Sequence, residues 1–381
     1  MTTPVFTMAP GPAGATPATL AALGSPILHH LDPAFRAHYA DTVGLLRQAF
    51  GTVSDPVIFP GEAVIGLEAA AASLIGPDDV VLNLSSGIYG AAFGQLAARY
   101  AAEVIEVTAA YDSAVSAHQV SEALENRPGI TIVAVVHCET PSGTLNDLAA
   151  IAAAAAAHGA LLLVDAVSSF GAEPCEFDGW PADLAVVAPQ KCLGGPPGLS
   201  LLHVSDRAWQ HIAANRNAPA EAALRITPWR DTQHGFPFTP NIAEINALHS
   251  CLTQYLAEGP AAVQARHQAA ARAIRSGVQG LGLRLWAKDA AIRSNTVTAV
   301  ELPSGTSETD VRAIAREEFG VMLAGGQPYF AGRVLQIGHM GPSAYPLSPV
   351  IALTALGAAL RRLGATADIG AAVEAAMKEY Q

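Results

Sequence analysis

Short apolar runs alternate with longer helix-like stretches between residues 57 and 204 of this chain. Most of the runs are apolar throughout, which is typical of strands that are buried on both faces of a sheet. They cover residues 57–59, 80–84, 104–107, 131–136, 160–164, 184–187 and 199–204. Helix-like stretches lie between several of them, at residues 67–75, 89–100, 116–125 and 148–158. This alternation predicts a mostly parallel sheet covered by helices on both sides.

The pattern changes near residue 261. A helical segment over residues 261–281 leads into shorter strand-like runs, and the remaining helix-like stretches cover residues 310–319 and 349–363. Because strands and helices no longer alternate regularly, this part is predicted to be an α+β unit. We expect a large α/β domain over residues 15–260 and a small domain formed by residues 1–14 and 261–381.

The composition narrows the class of protein. Hydrophobic residues make up 51% of the chain and charged residues 14%, which excludes a globally disordered protein. A net charge of −12 argues against binding to nucleic acid or to an anionic membrane surface. No signal-peptide pattern is visible, and no apolar run reaches the roughly 20 residues that a membrane span needs. We expect a cytoplasmic protein.

The four cysteines are scattered along the chain, at Cys138, Cys175, Cys192 and Cys251. Their spacing matches neither a metal site nor a disulfide framework. We therefore expect no metal and a reducing compartment.

Lysine is scarce, and one of the three lysines follows a predicted strand. Lys191 comes after the run 184–187 and before the turn-rich loop Cys192-Leu-Gly-Gly-Pro-Pro-Gly198. In open parallel sheets, ligands bind beyond the carboxyl ends of the strands. A lysine held among apolar residues loses stabilisation of its ammonium form, so its neutral amine becomes available for Schiff-base chemistry. Taken alone, an ordinary loop lysine is the simpler interpretation.

Three other polar side chains follow other predicted strands. Asp165 ends one strand, and its carboxylate could pair with a pyridinium nitrogen. Tyr89 follows a second strand and could stack on a heterocycle, while Thr140 follows a third and could bond a ring hydroxyl. Each has a simpler role when taken singly, such as a cap or a core aromatic. Together with Lys191 they are expected to converge, because the carboxyl ends of parallel strands meet at one edge of a sheet.

Four motifs in this order resemble those of class V aminotransferases. They are Gly11-Pro12, Gly66-Leu-Glu-Ala-Ala70, Val164-Asp-Ala-Val-Ser-Ser169 and Pro189-Gln-Lys-Cys-Leu-Gly-Gly-Pro-Pro-Gly198. The similarity covers nearly the whole chain, as far as Gly338-His-Met-Gly-Pro342. The lysine and aspartate motifs are specific to this family, and within it the similarity is strongest to enzymes that use pyridoxamine.

The resemblance implies a fold type I architecture with a seven-stranded sheet in the large domain. It also implies a homodimer or homotetramer with shared active sites. Lys191 would form the Schiff base with the vitamin B6 ring and shuttle protons. Asp165 would pair with the ring nitrogen, Tyr89 and Val167 would cover the two ring faces, and Thr140 would bond the 3-hydroxyl. The other residues placed at the cofactor or substrate by the resemblance are Glu62, Gln190, Thr239, Gly11, Gln327 and Gln336.

Glu62 departs from the pattern of most class V relatives, which hold the cofactor phosphate at this position with a small hydroxyl residue and a histidine. The N–H groups at a helix start favour a phosphate, but a carboxylate opposes it. At about 4 Å and an effective dielectric near 20, each like-charge pair costs on the order of 4 kcal/mol. Phe238 likewise lies where phosphate-binding relatives carry polar side chains. We expect unphosphorylated pyridoxamine or pyridoxal as a substrate, although Glu62 could also simply face solvent at the helix start.

The arginines with which the family binds the carboxylate of the acceptor are also missing. Gln336 and Gln327 stand at these two positions, and an amide binds a carboxylate less strongly than a guanidinium does. Arg333 is three residues from Gln336, which on a strand predicts that it lies on the opposite face. Arg230 is a candidate replacement. The acceptor is left open between an oxo acid and a compound without a carboxylate.

These features support three hypotheses. The first is a transaminase that moves an amino group between pyridoxamine or pyridoxal and a small oxo acid such as pyruvate. The second keeps the fold but uses bound pyridoxal 5′-phosphate for another transamination or a lyase reaction. A desulfurase is not expected, because no cysteine follows residue 261. The third is a non-catalytic carrier that holds pyridoxal on Lys191.

Overall fold

The computed structural model describes residues 5–216, 219, 222–233, 235–325, 328–330 and 332–381. Its strands are β1 (Phe6–Thr7), β2 (Val57–Pro60), β3 (Val80–Ser85), β4 (Glu103–Thr108), β5 (Ile132–Val136), β6 (Cys138–Glu139), β7 (Thr144–Leu145), β8 (Leu161–Asp165), β9 (Leu184–Val187), β10 (Leu199–Val204), β11 (Arg284–Leu285), β12 (Val297–Glu301), β13 (Val321–Met322), β14 (Ala324–Gly325) and β15 (Val334–Gly338). Its helices are α1 (Pro17–Leu23), α2 (Pro33–Phe50), α3 (Ala63–Leu74), α4 (Ile88–Ala97), α5 (Ala117–Asn126), α6 (Leu148–His158), α7 (Asp206–Ala214), α8 (Ile242–Glu258), α9 (Pro260–Gly280), α10 (Glu308–Phe319), α11 (Leu347–Arg362) and α12 (Ile369–Lys378).

Seven strands form the central sheet, in the order β2-β10-β9-β8-β5-β3-β4. The five strands β9, β8, β5, β3 and β4 are parallel to one another, and β10 runs antiparallel to both of its neighbours, β2 and β9. These are the seven strands predicted from the apolar runs, so the expected mostly parallel sheet is confirmed.

Both faces of this sheet are buried, which explains why its strands are apolar throughout. Leu82 and Val133 belong to the core on one face, with side chains of α2, α6 and α8. Val81 and Ile132 belong to the core on the other face, with side chains of α3 and α7. Successive residues of a strand point to opposite faces, so a sheet between two helical layers needs apolar residues at nearly every strand position.

The C-terminal part forms the predicted α+β unit. A second sheet, in the order β11-β12-β15-β14, packs against α9, α10, α11 and α12 around a core of its own. The N-terminal strand β1 joins this unit by pairing with β13, and Met8 is buried in its core. We therefore propose domain boundaries at residues 15–260 for the large domain, and at 1–14 with 261–381 for the small domain. In the described part of the chain, no helix has the length and apolar character needed to cross a membrane.

Candidate active site

The carboxyl ends of four parallel strands present the polar side chains that the sequence singled out. Lys191 follows β9, Asp165 ends β8, Thr140 follows β5 and β6, and Tyr89 lies in the first turn of α4 after β3. These strands are consecutive in the sheet, in the order β9-β8-β5-β3. The topology therefore brings the four side chains to one edge, as a parallel sheet requires.

Lys191 rests against the N-terminal segment of the chain. Its Nζ donates a hydrogen bond to the carbonyl oxygen of Pro10 at 2.8 Å. Gly11 has a φ of 117°, and a Cβ on it would lie 2.5 Å from Nζ, so only glycine leaves room for the lysine side chain. Burial lowers the pKa of the Lys191 amine, although the nearby Asp165 opposes the shift. Burial therefore makes the neutral, nucleophilic form of this amine easier to reach than in an exposed lysine.

Asp165 is a buried carboxylate with only part of its bonding capacity used. Its Oδ1 accepts a hydrogen bond from the backbone N–H of Val167 at 2.9 Å. Burial raises the pKa of Asp165 to about 6, while the N–H of Val167 and the charge of Lys191 oppose the shift. A carboxylate in this setting is stabilised by a cationic or N–H partner, such as a protonated ring nitrogen.

Tyr89 is held by a residue that the sequence analysis missed. The carboxylate of Glu139 accepts hydrogen bonds from the backbone N–H groups of Tyr89, at 3.1 Å, and Gly90, at 2.5 Å. It thereby caps α4, whose preceding residue Gly87 has no side chain to do so. Burial raises the pKa of Glu139 to about 7. Tyr89 itself is 41% exposed, so one side of its ring remains accessible.

Thr140 lies beside a second residue that the sequence analysis missed. Its Oγ1 is 2.8 Å from Oγ of Ser168, three residues after Asp165. Both side chains are buried. The two hydroxyls link the loops that follow β5 and β8, and the position of Ser168 within the quoted motif Val164–Ser169 was the available signal.

Glu62 begins α3 and bonds to the residue before the lysine. Its Oε2 accepts the backbone N–H of Val64 at 3.0 Å, and its Oε1 accepts Nε2 of Gln190 at 2.7 Å. The carboxylate therefore does not simply face solvent. Because a carboxylate can only accept, the bond fixes the orientation of the Gln190 amide. The Oε1 of Gln190 is buried and has no hydrogen-bond partner among the described residues.

Gln336 lies on β15, on the small-domain side of the candidate site. It is 3% exposed, and its Nε2 is buried without a partner in the described part of the chain. Gln327, the second glutamine predicted here, lies outside the described residues. Arg333 precedes β15, and its guanidinium lies over the ring of Trp286, 5.5 Å from the centroid. Its guanidinium is thus engaged with Trp286, and its position on the face opposite Gln336 stays a prediction.

Arg230 and Thr239 are not brought to Lys191 within one chain. The guanidinium of Arg230 lies 3.9 Å from the carboxylate of Asp206 and over the ring of Trp209. Thr239 is exposed on the surface of the single chain. The described residues also contain no group of three or more His, Cys, Asp or Glu side chains that could hold a metal ion.

Comparison with known proteins agrees with this geometry. The model of the family described as aminotransferase class V matches residues 19–336. A pyridoxamine–pyruvate transaminase from Mesorhizobium japonicum is 46% identical over 377 residues, which cover 98% of this chain and 96% of that protein. An L-aspartate–glyoxylate aminotransferase from Paracoccus denitrificans is 30% identical and covers 99% of this chain and 96% of its own length.

Solved structures show the same relationship. A pyridoxamine–pyruvate aminotransferase from Mesorhizobium loti superimposes with a TM-score of 0.97 at 46% identity, over 99% of this chain and 97% of the other. A ureidoglycine–glyoxylate aminotransferase from Bacillus subtilis gives a TM-score of 0.93 at 30% identity, over 100% and 99% of the two chains. This chain belongs to the class V aminotransferase family, with its fold type I architecture and its vitamin B6 cofactor, and it is a transaminase.

Proposed function

We propose that this transaminase moves an amino group between pyridoxamine or pyridoxal and a small oxo acid such as pyruvate. In the forward direction the aminomethyl group of pyridoxamine becomes the aldehyde of pyridoxal, and the ketone of the oxo acid becomes the amine of an amino acid. The exchange balances without an external oxidant or reductant. The observation that carries the proposal is the placement of the Glu62 carboxylate.

Glu62 disfavours a phosphate in two ways. Its Oε2 already occupies the N–H of Val64, one of the donors that a helix start would offer to a phosphate. Its negative charge would also repel a phosphate, at a cost of about 4 kcal/mol for a pair about 4 Å apart at an effective dielectric near 20. A ring with an uncharged 5′-hydroxyl avoids both costs.

The unpartnered oxygen of Gln190 supports the same ring. Gln190 Oε1 is a buried acceptor next to a second acceptor, the Glu62 carboxylate. A hydroxyl can donate to either oxygen, whereas a phosphate dianion has no hydrogen to donate. Leaving a buried acceptor unpaired costs about 1–3 kcal/mol, which favours a ligand that donates here. The residues present therefore fit unphosphorylated vitamin B6.

The other residues of this edge have complementary tasks. A bound B6 ring supplies an electron sink for charge that develops at the reacting carbon. Asp165 would hold the ring nitrogen in its protonated form, with Thr140 at the 3-hydroxyl and Tyr89 and Val167 on the two faces. Lys191 would anchor the ring and carry the transferred proton on Nζ, a role that suits an amine whose pKa is lowered by burial.

We further propose that a second copy of the chain completes the site in a homodimer or homotetramer. Phe238 is 39% exposed and Thr239 is also exposed, so both are available to a neighbouring subunit. Arg230 would be supplied in the same way.

The thiols of the chain support a reducing, cytoplasmic location, which we also propose. All four are unpaired: Cys138, Cys175, Cys192 and Cys251.

The test is pyridoxal formation from pyridoxamine with pyruvate or another small oxo acid, run beside the same assay with pyridoxamine 5′-phosphate. We expect turnover of pyridoxamine and poor use of its phosphate ester. Preferential use of the phosphate ester would favour a conventional phosphate-dependent aminotransferase. Binding of pyridoxal without turnover with any oxo acid would favour the carrier.

A further inference from the structure

The face of β15 that carries Gln336 holds a buried amide whose Nε2 has no hydrogen-bond partner among the described residues. Gln336 pairs with Ala299 of β12 on one side and with Ala324 of β14 on the other. Directly paired residues share a face, so Gln336 stands between two small side chains. The opposite face carries Leu335 and Ile337, which pack in the small-domain core.

This face leads directly to the lysine. Gly338 lies two residues after Gln336, on the same face of β15 and roughly 7 Å along the strand. A Cβ on Gly338 would lie 2.5 Å from the backbone nitrogen of Pro10, and the carbonyl of Pro10 binds Lys191 Nζ. A molecule that reacts above Lys191 therefore has Gln336 within its reach.

Aromatic side chains border the same face. Ala299 and Val334 pack with Phe330 in one small cluster, against which Tyr111 and Trp286 also pack. Val334 lies two residues before Gln336, and thus on the same side of the sheet. The side chains that pack on Ala299 and Val334, the neighbours of Gln336 on this face of the sheet, are therefore aromatic.

The aromatic cluster joins the two domains. Trp286 of the small domain donates from Nε1 to the carbonyl of Tyr111 in the large domain at 2.9 Å. The Tyr329 ring lies 4.4 Å from the Tyr111 ring, yet 60% of Tyr329 is exposed. Burial raises the pKa of Tyr111, and the charge of Glu139 raises it further. Tyr111 therefore lies near Glu139, the residue that caps α4. The exposed part of Tyr329 is thus left uncovered beside Tyr111.

We propose that the amino acceptor is a 2-oxo acid with an aromatic or bulky apolar side chain. Its carboxylate is held by the neutral Gln336 amide, and its side chain packs on Tyr111 and Tyr329, whose rings lie against the buried Phe330. This inference rests on the proposed function. It keeps the proposed transamination and replaces the small acceptor named there, such as pyruvate, with an oxo acid that has a larger apolar side chain.

The physical reason is that burial of an apolar side chain compensates for a weaker bond to the carboxylate. An amide binds a carboxylate less strongly than a guanidinium does, so a small acceptor such as pyruvate is held weakly. Burial of an aromatic side chain strengthens binding by about ten- to a hundredfold, which offsets that loss. The unpartnered Gln336 amide also gains the hydrogen bond that it lacks within the chain.

The test compares phenylpyruvate with pyruvate as acceptors for pyridoxamine, with phenylacetaldehyde as a probe that lacks the carboxylate. We expect kcat/KM for phenylpyruvate to exceed that for pyruvate by about tenfold or more, and to exceed that for phenylacetaldehyde. Tyr329→Ala should reduce the phenylpyruvate-to-pyruvate ratio severalfold. Phe319→Ala, which alters an aromatic residue of similar exposure on α10, should leave that ratio unchanged.

A binding measurement separates this inference from the proposed function. In calorimetry without vitamin B6, the unreactive analogue 3-phenylpropionate should bind about tenfold more tightly than propionate. Turnover that favours pyruvate would overturn the acceptor class and leave the proposed function standing. Equal use of phenylacetaldehyde and phenylpyruvate would overturn the role of Gln336. Absence of turnover with every acceptor would overturn both proposals.

Discussion

The two halves of the candidate site differ in how far the chain itself satisfies their polar groups. In the large-domain half, Glu62 is bonded to Gln190 and to the N–H of Val64, and Lys191 is bonded to Pro10. In the small-domain half, the Gln336 amide nitrogen is buried and bonded to nothing among the described residues. In the first half, Gln190 Oε1 is the acceptor left open, but Glu62, Gln190 and Lys191 are each held by at least one hydrogen bond before any ligand arrives, which the Gln336 amide nitrogen is not.

This difference suggests two kinds of specificity. Groups that are already fixed by hydrogen bonds lose little freedom when a ligand binds, so they discriminate sharply between ligands. An amide without a partner, beside alanines and aromatic rings, can adapt to acceptors of different shape. We therefore expect substitutions in the large-domain half to have larger effects than substitutions in the small-domain half.

The largest effect is expected for Lys191→Ala. This variant should form no Schiff-base absorbance band with pyridoxal and no adduct that borohydride can trap, because the reacting amine is gone. Lys288→Ala is the matched control, since Lys288 is exposed and pairs with Asp112 away from the strand ends. Circular dichroism should show that both variants are folded. A trapped adduct in Lys191→Ala would place the covalent chemistry on another amine.

A smaller effect is expected for Glu62→Ser. The wild type should bind pyridoxal more tightly than pyridoxal 5′-phosphate. The variant should shift this preference toward the phosphate ester by about a hundredfold, somewhat less than a full like-charge contact would give, because Glu62 is partly exposed. Titration of both ligands measures the shift.

Glu62→Gln is the matched control for this substitution, because it removes the charge and keeps the size. It should shift the preference in the same direction as serine. If the wild type already binds the phosphate ester as tightly as pyridoxal, the role given to Glu62 is wrong.

The smallest effect is expected in the acceptor half, for Gln336→Arg. A charge-assisted bond to the carboxylate contributes about 1.5–3 kcal/mol, so the Michaelis constant for pyruvate should fall about tenfold. The contact exists in the ground state and in the transition state, so kcat should change little. Steady-state kinetics with pyridoxamine and pyruvate measure both constants.

Gln336→Leu, which removes the amide at similar size, should raise the Michaelis constant for pyruvate instead. If the wild type works at low pyruvate and arginine adds nothing, another residue holds the carboxylate. The acceptor half of the site would then hold its ligand with contacts as well defined as those of the large-domain half.

Much of the fold and part of the site could be predicted from local sequence. The seven strands of the central sheet were predicted to within one residue at each end, because burial on both faces requires nearly continuous apolar runs. Lys191, Asp165, Thr140 and Tyr89 each follow a strand, so the topology alone brings them to one edge.

Other features could not be predicted in this way. Glu139 directly precedes Thr140 in the sequence, but nothing local shows that its side chain caps a helix 49 residues earlier in the chain.

The sequence by itself determined the alternation of strands and helices, the family and the residue types available for chemistry. These properties depend on the periodicity and identity of neighbouring residues. Only the tertiary structure decided that Lys191 donates to Pro10, 181 residues away, and that Glu62 bonds to Gln190, 128 residues away. It also decided that Gln336 is left without a partner. Such contacts arise from the packing of distant segments, and a backbone carbonyl such as that of Pro10 has no side-chain signal in the sequence.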